Sequence, residues 1–200
     1  MNEIPRTRDL NGIDRSMASL TGRRWTTAEL IARIEAGLLD PDEEFELIHG
    51  EVVPMSPEGR FDLNLRQDLS HFLNRKLLKG IRVDGETQFN LAPDTYRKPD
   101  ILLRHATISA YDVRGPDALL VVEISDSSLG TDLRSKASFY ASYGVREYWV
   151  IAARTVTWLY RGPSAGGYAE VREVAPHQML VPLLVPALAF QLDQVGMQDD

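Results

Sequence analysis

The spacing of apolar residues along the chain predicts three helices. The first begins at Thr26 or Thr27, either of which can cap it, and it is ended by Gly37. The second covers residues 62–79, where leucine and phenylalanine recur every three or four positions, and it is the main amphipathic helix. The third covers residues 131–143 and is ended by a glycine.

Hydrophobic runs and two-residue alternation predict the strands between these helices. They cover residues 44–48, 51–53, 81–91, 98–103, 118–125, 147–151, 156–160 and 168–174. The first two flank His49-Gly50, which predicts a β-hairpin with a tight turn. The order of elements predicts the α/β or α+β class: a mixed central sheet flanked by helices, with an N-terminal helix and a hairpin.

The size and composition are those of one globular domain. The chain has 200 residues, of which 44% are hydrophobic and 26% charged. Residues 1–24 are interpreted as a polar N-terminal arm and residues 25–200 as a single domain. The chain contains no cysteine, which removes thiolate chemistry and fits a cytoplasmic location. The most apolar late segment is far shorter than the roughly 20 residues of a membrane helix, so no membrane partner is expected.

The charge distribution and the remaining motifs narrow the function classes. The net charge of −7 does not favour a polyanion binder, because nonspecific affinity for nucleic acid comes mainly from lysine and arginine. The four histidines lack the spacing of metal ligands. No glycine-rich phosphate loop and no nucleophile elbow occur, which argues against a P-loop protein and against a serine hydrolase.

Two acidic residues occupy apolar strands, where a lone charge is costly. Asp100 begins the run Ile-Leu-Leu, and Glu123 lies inside Leu-Leu-Val-Val-Glu-Ile-Ser. Alternation places Glu123 on the same face as Val121 and Ser125, and if the strands are neighbours the two carboxylates can converge. Converging carboxylates repel each other unless a divalent cation lies between them, and Mg²⁺ suits such oxygen ligands. A third acid, Glu46, lies in the similar run Phe-Glu-Leu-Ile.

The helix that follows Glu123 supplies a candidate cation. Asp132, Lys136 and Tyr140 are spaced at i, i+4 and i+8 and therefore share one face. Lys136 can point back at Glu123, where it would orient a water or stabilise charge on a phosphate. The alternative is structural: Glu123 and Lys136 form an ion pair without a metal, and Asp100 caps or turns the chain.

Five sequence features follow one another in an order that is specific to one family. They are Phe-Glu-Leu-Ile-His-Gly-Glu-Val-Val, Arg-Lys-Pro-Asp-Ile-Leu-Leu, Val-Val-Glu-Ile-Ser-Asp-Ser-Ser, the set Asp132, Lys136 and Tyr140, and Tyr-Gly-Val-Arg-Glu-Tyr-Trp-Val-Ile. Each is weak alone, but together, with ordinary loop lengths, they resemble the Uma2 family of restriction-endonuclease-like proteins. The resemblance covers roughly residues 25–192.

The resemblance implies a PD-(D/E)XK nuclease-type core with a metal site at the edge of a mixed sheet. Asp100 corresponds to the Asp of the motif, Glu123 to the second acid, and the carbonyl of Ile124 to a further metal ligand. Glu46 corresponds to the acid of the family's Glu-Leu-Ile run and would help to hold a second metal or a water. The implied activity is hydrolysis of DNA phosphodiester bonds with Mg²⁺ or Mn²⁺, with Lys136 assisting the attacking water. A homodimer is also expected, because restriction-type enzymes of this fold commonly act as two-fold pairs.

Three positions depart from the family pattern. The standard motif has a lysine two residues after the second acid, where this chain has Ser125, and Lys136 is interpreted as the relocated lysine. Many relatives carry a histidine where Asp62 aligns, so any role of that histidine in substrate handling is missing here. Relatives also often have an aspartate where Ala152 stands, which is interpreted as a turn cap rather than a catalytic residue.

A non-catalytic interaction module on the same fold is the competing hypothesis. It would bind a protein or nucleic acid and keep the carboxylates as a structural network, and the net charge of −7 favours it. For the nuclease, candidates for contact with the DNA backbone are the N-terminal arginines with Arg60, Arg66, Arg75 and Lys76. Arg66 is more simply interpreted as an exposed helix residue. The core, or else a dimer interface, is the expected location of Trp149, Trp158 and Tyr160, and burial tendencies favour the core.

Overall fold

The computed structural model divides the chain into two compact units. Unit 1 comprises Met1–Ser56 and Ala92–Arg97, and unit 2 comprises Pro57–Leu91 and Lys98–Asp200. The structure describes residues 20, 22–39, 44–55, 60–76, 78–125, 129–152 and 155–196, without the side chains of residues 60–62 and 131. Most of the predicted N-terminal arm lies outside these residues, and its boundary at residue 25 stays a prediction.

Unit 1 contains the N-terminal helix and the hairpin that the sequence predicts. Helix α1 (Thr27–Glu35) is capped by Thr26. Glu29 N donates to Thr26 Oγ1 at 3.2 Å, and Thr26 N donates to Glu29 Oε2 at 2.8 Å, so two otherwise unpaired amides are satisfied reciprocally. Strands β1 (Phe45–Ile48) and β2 (Glu51–Pro54) pair antiparallel, and β5 (Thr95–Arg97) pairs with the other side of β1.

The hairpin turn shows why His49-Gly50 follows β1. Both residues have positive φ, 50° and 82°, as a two-residue turn between twisted strands requires. A Cβ on Gly50 would also lie 2.8 Å from Cβ of Arg24, so glycine is required there for space as well as for conformation.

Unit 2 is built on a mixed six-stranded sheet. Its strands are β3 (Ile81–Gly85), β6 (Ile101–His105), β7 (Leu120–Ser125), β8 (Glu147–Ala152), β9 (Val156–Ser164) and β10 (Gly167–Val174). They lie side by side in the order β10-β9-β8-β7-β6-β3. β7 and β8 are parallel, and all other neighbours are antiparallel. The sheet is therefore mixed, as predicted. Shorter elements are β4 (Phe89–Ala92), β11 (Met179–Leu180), β12 (Phe190–Gln191) and 3₁₀ turns at Ala110–Asp112, Gly115–Asp117, Pro186–Leu188 and Leu192–Gln194.

Two helices cover opposite faces of this sheet. Helix α2 (Arg60–Arg75) packs Leu65, Leu69 and Leu73 against one face, in a cluster that contains Val122. Helix α3, residues 129–142, lies against the other face, where Tyr140 shares a cluster with Val121. Successive residues of β7 point to opposite faces, and both faces are covered, so Val121 and Val122 are both buried and the strand is buried along its whole length.

The region before Asp100 differs from the predicted strands. One strand was expected over residues 81–91, but β3 ends at Gly85 and β4 begins at Phe89. Glu86 between them has a positive φ of 45°, a conformation that breaks strand pairing. The strand expected from residue 98 begins at Ile101, because Pro99 has no amide hydrogen to donate to a ladder.

The aromatic residues of the later strands are mainly core residues. Trp149 and Tyr160 are buried, and Trp158 is partly buried, with Nε1 donating to Glu173 at 3.0 Å. Core packing, the favoured of the two interpretations, therefore holds for Trp149 and Tyr160. In the part of the chain that the structure describes, no helix is long and apolar enough to cross a membrane.

Candidate active site

The register of β6 and β7 brings Asp100 and Glu123 to the same edge of the sheet. Ile101 lies opposite Val122, so the next position along the antiparallel pair sets Asp100 opposite Glu123. Asp100 Oδ2 accepts a hydrogen bond from Ile124 N at 2.6 Å, which extends the pairing of the two strands by one bond. The two acids that the sequence singled out are therefore neighbours.

Glu123 is a buried carboxylate that has partners within the protein. It is 4% exposed and points to the face covered by α3. Lys136 Nζ lies 2.9 Å from its Oε2, and the Tyr140 hydroxyl donates to its Oε1 at 3.0 Å. Each carboxylate oxygen thus has a donor from the same helix, which offsets the cost of removing the charge from water.

Lys136 also binds a second acid. Its ammonium lies 3.0 Å from Oδ1 of Asp132, which is 1% exposed. Burial lowers the pKa of Lys136, but the negative charges of Glu123 and Asp132 outweigh this effect and raise the pKa above its ordinary value. Lys136 is therefore an ammonium at neutral pH, which makes it a donor and a source of positive charge rather than a base.

A π-helical turn, Asp132–Lys136, interrupts α3 at this point, between α-helical segments Leu129–Thr131 and Ala137–Ser142. The usual helical hydrogen bonds are disturbed in such a turn. Two tyrosines of the sheet bind its carbonyls: Tyr148 donates to the carbonyl of Asp132 at 3.2 Å, and Tyr160 donates to the carbonyl of Leu133 at 2.9 Å. Burial raises the pKa of both phenols, so both remain donors at neutral pH.

Arg66 and the backbone of Asp100 both lie close to Gly85. A Cβ built on Gly85 would be 3.6 Å from the Asp100 carbonyl oxygen and 3.8 Å from Nη1 of Arg66. The Arg66 side chain is 14% exposed and pairs with Glu86 at 3.0 Å, so the prediction of an exposed helix residue is wrong. The left-handed conformation of Glu86, whose amide donates to the carbonyl of Pro99 at 3.1 Å, positions this acid for the pair.

The other predicted residues have the following places. Glu46 lies on β1 in unit 1, is buried and pairs with Arg97 at 2.7 Å, so within that unit it serves an ion pair. Ile124 and Ser125 are buried near the end of β7, and Ala152 is the last residue of β8. The side chain of Asp62 lies outside the described part of the chain.

The sequence did not identify Tyr140 as a partner of Glu123, although it placed Tyr140 on the correct helix face. The i, i+4, i+8 spacing from Asp132 was the available signal. The sequence also gave no indication of the Arg66–Glu86 pair, because residues 66 and 86 approach each other only through the path of α2 and β3.

The donor set of the site suits a hard cation. Within the described ranges, no group of three or more His, Asp or Glu side chains is arranged to hold a metal ion. The oxygen donors are the carboxylates of Asp100 and Glu123 and the carbonyl of Ile124. The amide and the carbonyl of a strand residue point to the same side of the strand. Because the Ile124 amide binds Asp100, the Ile124 carbonyl also faces the side of Asp100. Such oxygen donors fit Mg²⁺ or Mn²⁺, with water completing the coordination.

These features, a mixed sheet with helices on both faces and two acids at the ends of adjacent strands, define a restriction-endonuclease-like α+β protein. The chain belongs to the Uma2 family, whose sequence model, described as "Putative restriction endonuclease", matches residues 28–193. The predictions of family and fold class are confirmed.

The fold of this chain is also found in a solved structure of low sequence identity. The fold is similar to the crystal structure of a protein from Anabaena variabilis ATCC 29413, titled a putative nuclease belonging to DUF820. The TM-score is 0.63 at 16% identity, and the match covers 84% of this chain and 96% of that chain. No curated protein matches this chain.

The stability of the site provides a first test. Replacing Lys136 with Met leaves the buried carboxylates of Glu123 and Asp132 without their cation, and we expect the free energy of unfolding to fall by roughly 3 kcal/mol. Urea unfolding followed by circular dichroism measures the loss. Arg134→Met, an exposed cation of the same π turn, is the matched control. A loss no greater than that of the control would show that the ion pairs contribute little.

Proposed function

We propose that this protein is a metal-dependent endonuclease-like enzyme that hydrolyses phosphodiester bonds of DNA. Asp100, Glu123 and the Ile124 carbonyl hold Mg²⁺ or Mn²⁺, and Lys136 assists the attacking water. The observation that carries the proposal is the meeting of Asp100 and Glu123 across β6 and β7, with Lys136 Nζ 2.9 Å from Glu123. Family membership supports it independently.

The proposed roles are divided between a metal site, formed by Asp100 and Glu123, and a hydrogen-bond donor, Lys136. A divalent ion bound by Asp100 and Glu123 supplies positive charge beside a phosphate and lowers the pKa of a nearby water. Lys136, an ammonium fixed by two acids, donates a hydrogen bond to the attacking water or to a phosphate oxygen. Tyr140 holds the second oxygen of Glu123, so this carboxylate keeps its orientation while its surroundings change.

Arg66 is a second candidate cation for a substrate phosphate. Arg66 and the backbone of Asp100 both lie close to Gly85, and a guanidinium can bind two phosphate oxygens at once. Glu86 holds it there with an ion pair of 3.0 Å, in which the Glu86 side chain is 43% exposed. A phosphate can compete with such a partly solvated carboxylate, because exposed ion pairs are weak. Glu46, which is paired within unit 1, takes no part in this proposal.

Metal binding is the first consequence to test. Titration calorimetry with Mg²⁺ and with Mn²⁺ should show binding to the wild-type protein that Asp100→Asn and Glu123→Gln each weaken by at least about tenfold, because each removes a charged ligand. Asp112→Asn and Glu35→Gln, exposed acids elsewhere in the chain, are the controls and should bind like wild type. Equal affinities in all five proteins would refute the metal site.

The chemistry is tested by nicking of supercoiled plasmid DNA with Mn²⁺. Lys136→Met should lower the cleavage rate at saturating metal by about 100-fold, since it removes a donor used in the transition state, while metal affinity changes less. The assay uses a temperature at which circular dichroism shows the variant folded. A variant that cleaves at the wild-type rate would exclude Lys136 from the reaction.

The role of Arg66 predicts a different kinetic signature. Arg66→Gln removes a charge that binds substrate, so KM for plasmid should rise by about tenfold with a smaller change in kcat. Arg146→Gln, an exposed arginine that is not among the candidates for contact with the DNA backbone, is the control. An unchanged KM together with loss of thermal stability would make the Arg66–Glu86 pair structural only.

A non-catalytic binding module remains the second candidate, because one observation favours it. Each carboxylate oxygen of Glu123 already has a donor from α3, and Lys136 is shared by two acids, which fits a purely structural network. Absence of both metal binding and nicking, with stability lost in the Lys136 variant, would select this function.

A further inference from the structure

β10 forms one edge of the six-stranded sheet of unit 2. Among the residues that the structure describes, this strand pairs with β9 alone, with Val171 opposite Tyr160 and Arg172 opposite Leu159. Alternate amide and carbonyl groups of an edge strand point away from the sheet and can pair with another strand. Residues 169–173 are all exposed. Val171, an apolar residue between two charged ones, is 54% exposed.

The two charged residues beside Val171 are opposite in sign and lie on the same face. Glu170 and Arg172 are two positions apart, whereas Val171 points to the other face. Neither forms an ion pair with any other residue that the structure describes. Their charges therefore lie at the edge of the sheet, available to a strand that adds there.

The neighbouring groups that could neutralise these charges are already engaged. Arg161, which lies opposite Glu170 on β9, binds the buried carboxylate of Glu147 at 2.7 Å. Glu173 lies on the face of Val171 and accepts a hydrogen bond from Nε1 of Trp158 at 3.0 Å. The edge thus presents one positive and one negative group in a fixed order.

We propose that β10 pairs antiparallel with β10 of a second copy of this chain, about a two-fold axis at Val171. In this register the two valines face each other, and Glu170 of each copy lies opposite Arg172 of the other. The pairing forms two equivalent ion pairs and covers an exposed apolar side chain, and it joins the two sheets into one.

The charge order selects this register over its neighbours. A two-fold axis perpendicular to a sheet keeps each face continuous, so opposite residues must be separated by an even number of positions. Moving the axis by one residue towards the N-terminus places Glu170 opposite its own copy, and moving it the other way does the same for Arg172. Both shifts oppose like charges, which destabilises the pairing.

The interface is small, which sets the expected affinity. β10 has eight residues, and a single added strand buries less surface than a stable dimer usually does. We therefore expect a weak dimer, with Kd in the micromolar range or above, that dissociates further as salt is added.

Sedimentation equilibrium of the full chain at about 5 to 500 μM, at low ionic strength, tests the pairing. Wild type should dimerise, and Glu170→Arg and Arg172→Glu should each raise Kd by roughly tenfold or more, because each opposes like charges at two positions. The combined Glu170→Arg, Arg172→Glu variant should restore the wild-type Kd. Val171→Asp, which opposes two carboxylates at the axis, provides a second disruption, and Arg82→Glu on the opposite edge strand should leave Kd unchanged.

Three results would overturn the proposal. They are a monomer at every concentration, a combined variant that dimerises no better than the single ones, and assembly beyond the dimer. Circular dichroism establishes that each variant is folded. The outcome is independent of the proposed nuclease activity, because none of these residues belongs to the Asp100 site.

Discussion

The burial of the Glu123 carboxylate is the constraint on which the core of unit 2 depends. The strand that carries it is buried along its whole length, so the charge needs partners within the protein. Lys136 and Tyr140 provide them, and both belong to α3. Helix α3 must therefore lie over β7, and a helix in this position carries the chain back so that β8 runs parallel to β7. The pairing of Glu123 and the apolar packing of α3 on the same face thus favour one helix position, and that position leads to the only parallel strand pair among the described strands of this sheet.

The same network holds the charged groups around Glu123 in fixed positions. Tyr148 and Tyr160 hold the π turn through its carbonyls, and the turn presents Asp132 and Lys136 to the strand. These contacts come from packed aromatic side chains of the sheet, with ring centroids of Tyr148 and Tyr160 5.6 Å apart. The site is therefore supported by rigid core elements, which is the arrangement that precise positioning of reactive groups requires.

Local patterns predicted the parts of the structure that local physics determines. The cap of α1, for which Thr26 was one of two candidates, the turn at His49-Gly50 and the shared helix face of Asp132, Lys136 and Tyr140 each depend on residues close in the sequence. The meeting of Asp100 and Glu123 required one further assumption, that their strands are neighbours, which family resemblance supplied and the strand register bears out.

The features that escaped prediction depend on long-range or unusual conformations. The break at Glu86 could not be foreseen, because a left-handed glutamate is stabilised by its surroundings and not by its own preference. The consequence was a merged strand and a missed ion pair with Arg66. The short return of the chain through residues 92–97, which belongs to unit 1, likewise has no compositional signature.

The acidic residues of the chain affect how a phosphate could bind at the Asp100–Glu123 site. The two cations assigned to this site are paired with acids, Lys136 with Glu123 and Asp132, and Arg66 with Glu86. Under the proposed function a phosphate must therefore compete with carboxylates for these cations. It competes best where the carboxylate can bind a different cation instead. Glu123 has that option only if a divalent ion is present, because Tyr140 alone cannot neutralise its charge. Substrate binding by Lys136 and metal binding by Glu123 are then coupled, and the net charge of −7 becomes compatible with a DNA substrate.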